Sequence, residues 1–71
     1  MAKLRLGNRL KVARAEKSIS QEQLADMSGV SRQTISSIET HQYIPSALLA
    51  FLLAKKLDKP VNYLFFLEGD E

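Results

Sequence analysis

The sequence has no cysteine, a single histidine, two prolines and three glycines. Without thiols there are no disulfide staples, no thiolate zinc sites and no cysteine nucleophile, a composition that suits a reducing cytoplasm. The lone His41 has no second histidine or cysteine at ligand spacing, so a solvated or phosphate-facing imidazole is expected rather than a metal ligand. Long apolar runs are missing too: a bilayer-spanning helix needs about 20 consecutive apolar residues. The opening MAKLRLGNRLKV scatters charge where a signal peptide carries an apolar block. Paired carboxylates, a nucleophile with a histidine base and a glycine-rich phosphate loop are all lacking, which argues against an enzyme. The expectation is a cytoplasmic protein with no cofactor, metal, small-molecule ligand or membrane.

Seventy-one residues suffice for one core, which predicts a single domain over 1–71. A chain this short buries only roughly 60 to 65% of its unfolded surface, so self-association would add stability. The formal net charge is +2, but residues 1–40 hold seven Lys/Arg against four Asp/Glu, whereas residues 41–71 hold three against four. Such asymmetry lets one face meet phosphate and another meet protein. An ordinary solvated surface has the same counts, so motifs must decide.

Short turn signals separate apolar stretches of helical period, and strand alternation is nearly absent, predicting an all-α fold of five helices, with room for a short extended carboxy-terminal tail. Leu6, Leu10 and Ala13 form an i, i+4, i+7 stripe, predicting a first helix over Lys3 to Lys17. Ser20 followed by Gln23 is a capping-box pattern opening a second helix, Gln21 to Ser28. Gly29 ends it, because glycine takes positive φ without steric cost. Ser31 caps a third helix from Arg32 to Thr40. Residues 41–45 form a loop, a fourth helix spans Ser46 to Leu57, and Pro60 opens a short fifth from Val61 to Phe66. Glu68 to Glu71 are expected to fray.

Two short consecutive helices joined around one glycine, residues 21–40, make a helix-turn-helix. Small Ala25 permits a close crossing, and Leu24, Val30, Ile35 and Ile38 are the apolar residues that fix the angle. On the third helix Ile35 and Ile38 define the inner side. Gln33, Ser36, Ser37 and Thr40 fall opposite, with Arg32 on a flank. Plain solvent exposure accounts for polar residues on an isolated helix. In this tandem they compose a surface that fits a major groove, where Gln pairs with adenine, Arg with guanine, and Ser or Thr with either.

The stretch QEQLADMSGVSRQTISSIE, preceded by LKVARAEKSIS and followed by a loop ending in Ile44-Pro45-Ser46, resembles the Cro and phage-repressor family of small prokaryotic regulators. The resemblance covers about Leu6 to Phe66. It implies double-stranded DNA as partner and assigns base reading to Arg32, Gln33, Ser36 and Ser37. Gln21 matches the residue that touches a phosphate and buttresses the first base-reading side chain. Ser31 matches a position near phosphate or base, although capping alone accounts for it. Thr40, Gln42 and Tyr43 fall where the family makes phosphate contacts. The chain departs from the pattern at His41 and Gln42, where glycine, asparagine or a basic residue is usual.

Glu39 lies toward the inner side of its helix, where a lone carboxylate is costly and needs a partner. In the resembled family an arginine at the position of Arg14 pairs with it, implying a structural tie between the first and third helices; a surface pair is the alternative.

The fourth helix holds more large apolar residues than one inward stripe uses. Leu48 and Leu52, with Phe65, Phe66 and Leu67, predict an apolar patch. Either the terminal segment folds over it, or it is the interface of a homodimer reading a palindromic operator as a repressor. A further alternative is an antitoxin-like module that uses the patch to bind another protein.

Overall fold

The computed structural model describes residues 3–70, without the side chain of Asp70. The elements in order are β1 (Lys3–Asn8), α1 (Leu10–Glu16), α2 (Gln21–Ser28), α3 (Arg32–Glu39), α4 (Ala47–Leu57), α5 (Val61–Leu64) and β2 (Phe65–Asp70). Every helix contributes to one core: Leu10 and Ala13, Leu24 and Ala25, Ile35 and Ile38, Leu53 with Ala54 and Leu57, and Leu64, joined by Phe65 of β2. Leu6, Ile19, Val30 and Leu49 pack around it. Among the described residues no helix is long and apolar enough to cross a membrane.

The middle of the chain follows its local signals. Ser20 accepts from the Gln23 amide while the Gln23 side chain accepts from the Ser20 amide, a complete capping box. Gly29 ends α2 at φ 71°. Ser31 and Ser46 cap α3 and α4 by accepting from the amides of Thr34 and Leu49. Asp58 closes α4 in the left-handed conformation.

The two ends depart from the all-α expectation. The stripe Leu6, Leu10, Ala13 predicts one helix from Lys3, but residues 3–8 form a strand and α1 begins only at Leu10. Leu6 packs on the core from β1, so a strand and a helix bury the same residue and the stripe cannot separate them. The pairing of residues 3–8 with residues 65–70, a long-range contact, accompanies the strand. Asn8 then starts α1 by accepting from the Leu10 amide at 3.1 Å, and donates to the Ile38 carbonyl at 3.1 Å.

At the other end α5 stops at Leu64, not Phe66, and residues 68–70 pair rather than fray; Glu71 lies outside the described residues. β1 and β2 run antiparallel from Lys3 opposite Asp70 to Asn8 opposite Phe65. One side of this sheet sets Leu6 opposite Leu67. The other sets Arg5 opposite Glu68, joined Nε to Oε1 at 2.6 Å, and Gly7 opposite Phe66. A Cβ on Gly7 would sit 2.5 Å from Phe66 Cε1, so the ring uses the space that glycine leaves. Arg9 completes the join, its guanidinium 4.4 Å and 4.9 Å from the centroids of Phe66 and Tyr63.

Candidate nucleic-acid interface

α3 is fixed by its inner residues, Ile35 and Ile38, both buried. Its outer side carries Arg32 and Gln33, exposed, then Ser36 and Ser37, half-buried, with exposed Thr40 as the cap. Gln33 Nε2 donates to Ser37 Oγ at 3.2 Å, ordering two of these polar groups across one turn. The Thr40 hydroxyl donates back to the Ser36 carbonyl at 3.0 Å, and Ser31 Oγ is engaged with the Thr34 amide at 3.1 Å. The helix's one carboxylate, Glu39, turns away from this surface.

Glu39 instead meets Arg14 of α1. Arg14 Nε reaches Glu39 Oε2 at 2.7 Å and Nη2 reaches Oε1 at 3.2 Å, while Nη1 donates to the Ile19 carbonyl at 2.9 Å. The side chains are 14% and 6% exposed, so this is an enclosed fork rather than a surface pair. Removing one partner of such a pair strands the other and costs about 3–5 kcal/mol. Gln21 joins it: its Nε2 donates to Glu39 Oε1 at 3.1 Å, and its Oε1 accepts from Arg32 Nη1 at 3.4 Å. The chain Arg14, Glu39, Gln21, Arg32 thus links the interior to the exposed side; its two end links are those the resemblance implies, and the middle one, Gln21 to Glu39, is the one that sequence reasoning missed.

After α3 the backbone doubles back, with the amides of Gln42 and Tyr43 both donating to the Ser37 carbonyl, at 2.8 and 3.2 Å. Gln42 and Tyr43 are exposed beside the carboxy-terminal end of α3. His41 takes φ 65°, which explains why glycine or asparagine is common there: both tolerate the left-handed region that other side chains resist. Its Nε2 lies 3.8 Å from Glu68 Oε1, so the imidazole leans on the terminal sheet.

The apolar surface differs from the patch that the sequence predicts. Leu48 and Leu67 are strongly exposed, but Leu52 is half-buried. Phe65 belongs to the core at 8% exposure, because residue 65 is the first of β2 and points inward. Phe66 is half-buried beneath Arg9. Exposed Phe51 lies three residues after Leu48 on the same side of α4, and Ile44 is exposed in the loop that precedes the helix. The i, i+3 spacing from Leu48 was the available signal for Phe51; Ile44, outside the helix, had none.

This fold and this tandem of helices define a helix-turn-helix DNA-binding domain, and the chain belongs to the helix-turn-helix family HTH_3, which matches residues 10–64. Its relatives are regulators by name, and the family is not one of enzymes. The chain is 47% identical over 64 residues to an uncharacterized HTH-type transcriptional regulator of Methanocaldococcus jannaschii, covering 90% of this chain and 97% of the relative. It is 41% identical over 63 residues to the uncharacterized HTH-type transcriptional regulator YgzD of Bacillus subtilis, covering 89% and 96%. In structure it resembles the restriction-modification controller protein C.AhdI from Aeromonas hydrophila, with a TM-score of 0.76 and 37% identity over 80% of this chain and 86% of that one. The P22 c2 repressor, solved in complex with a synthetic operator, gives 0.74 and 31% over 78% and 83%.

Proposed function

We propose that the protein is a repressor that binds a palindromic double-stranded operator as a homodimer, with α3 in the major groove. The observation that carries this reading is the outer side of α3, polar, free of carboxylate and backed by two buried isoleucines. Arg32, Gln33, Ser36 and Ser37 meet base edges. Gln21, Ser31, Thr40, Gln42 and Tyr43 meet phosphates, which set register without reading sequence. The likeness to a repressor solved on its operator supports the same geometry here. For the dimer, the support is exposed Leu48 and Phe51 on α4, with half-buried Leu52 beside them and exposed Ile44 in the preceding loop. A two-fold pairing sets two recognition helices about 34 Å apart, one turn of duplex.

Selection from a random duplex library, with affinities measured across a salt series, tests both parts. The expected product is a two-fold symmetric site bound far more tightly than bulk DNA. Weak, salt-sensitive, sequence-blind binding overturns operator recognition. In sedimentation, Leu48→Glu with Phe51→Glu is expected to convert dimer to monomer. A wild type that is already monomeric removes the homodimer, and a protein that co-purifies with it then favours the antitoxin-like alternative.

A further inference from the structure

We infer that Glu39 is a positioning residue for Arg32, acting through the side-chain amide of Gln21, so that an enclosed carboxylate governs base preference at the surface. The inference rests on the operator-reading proposal above. A glutamine amide has two ends of nearly equal shape and opposite hydrogen-bonding sense. On an open surface little decides between them. Here Glu39 decides, because its Oε1 stands 3.1 Å from Gln21 Nε2. Turned over, the amide would set its own oxygen against the carboxylate, two acceptors with no proton between them, in a place where Glu39 is nearly closed to water.

With the amine end held inward, Gln21 Oε1 faces outward and is the acceptor that Arg32 Nη1 meets at 3.4 Å. That bond is long and exposed, so its own strength is small. Its sense is what counts: an amine in the same place would repel the guanidinium and release Arg32 to other rotamers. A guanidinium has five donors, and one tether at its side leaves the fork available for the O6 and N7 of guanine. The second N–H of Gln21 Nε2 has no bond among the described residues and is free for a phosphate oxygen. Arg14 keeps the source of this polarity in place, because its fork neutralises Glu39 and is itself anchored on the Ile19 carbonyl. The carboxylate therefore orients Gln21 without presenting a bare negative charge to DNA.

The test compares wild type with Arg14→Met/Glu39→Met, which removes the enclosed pair as a unit and leaves Gln21 and Arg32 in place; such replacements are often neutral for folding. An Arg32→Ala binding profile first identifies the base pair that Arg32 reads. In the double variant, discrimination at that base pair is expected to fall about tenfold, with preferences elsewhere in the site retained. Gln21→Met, which keeps the pair but has neither amide end, is expected to give the same loss at the same base pair. It supplies the answer should the double variant not fold. Adding the double replacement to Gln21→Met should then change discrimination no further. In the free protein, hydrogen exchange of the Gln21 side-chain amide should be slow in wild type and fast in the double variant.

An unchanged profile in Gln21→Met, or a loss spread evenly over every position in the double variant, overturns the role of Glu39 and leaves operator reading standing. A wild type that selects no sequence overturns both.

Discussion

The helix-turn-helix and the terminal sheet are held together in different ways. α2 and α3 bring Leu24, Ala25, Ile35 and Ile38 into the core and have serine caps that act within three residues. β1 and β2 join residues as far apart as Lys3 and Asp70, and among the described residues only Leu6 and Phe65 of the sheet reach the core: Leu67 is 71% exposed and Arg5–Glu68 is an exposed pair. Exposed ion pairs contribute about 0–1 kcal/mol, whereas burying a leucine contributes about 1.5–3 kcal/mol. Stability should therefore concentrate where DNA is read, with the sheet as a lid on one end.

The sharpest way to break this contrast is to damage each region once. Leu24→Ala, at a position with no exposure, is expected to cost about 2–5 kcal/mol and to abolish DNA binding at moderate temperature, as measured by denaturant unfolding. Gly69→Ala injures the sheet instead. Gly69 has φ 113°, and a Cβ there would run into the Lys3 carbonyl oxygen. The expected cost is about 1–3 kcal/mol, with faster amide exchange confined to the paired strands. A loss as large as that of Leu24→Ala, or exchange rising across α2 and α3, would show that the sheet belongs to the same cooperative unit.

His41 connects the regions, being in the loop after α3 and leaning on Glu68. His41→Gly relieves a left-handed backbone that costs an ordinary residue roughly 1–2 kcal/mol, and loosens the unfolded chain in partial compensation. A net gain of about 1 kcal/mol in unfolding free energy is expected, with the selected DNA sequence unchanged. If stability falls instead, the imidazole's contact with Glu68 outweighs the backbone strain, and the two regions are coupled more closely than burial suggests.

The same contrast explains what could be read in the sequence. Boundaries of α2 and α3 were legible because each signal, Ser20 with Gln23, Gly29 or Ser31, acts on its immediate neighbours. The sheet was not, because its strands lie at opposite ends of the chain and Leu6 satisfies a helical stripe as well as a strand pattern. Phe65 looked like surface for the same reason: one missed strand changes which way every terminal side chain faces. At the candidate site, the helical wheel orients single residues such as Glu39. It cannot show that Gln21, 18 positions away, directs its amide to the same carboxylate. That contact depends on how α2 crosses α3, a tertiary fact with no local signature.

The smallest expected effect concerns an ion pair outside both regions. Lys59, in the turn before α5, donates to Glu16 at the end of α1, with Nζ to Oε1 at 3.0 Å. That hydrogen bond, then the attraction of the Glu16 charge, raises the Lys59 pKa above its ordinary value of 10.5. A raised lysine pKa means that the folded chain holds this proton more tightly than the unfolded chain does. The stabilisation is therefore fully present below the unfolded value and is lost as pH rises through the folded one. Glu16→Gln should consequently lower the melting temperature slightly at pH 8 in low salt, and the gap from wild type should close well above pH 10.5. Added salt at pH 8 should narrow it as well, since both groups are open to solvent. A gap that widens at high pH would mean that Glu16 acts through something other than the charge on Lys59, and that the end of α1 is tied to α5 by packing rather than by this pair.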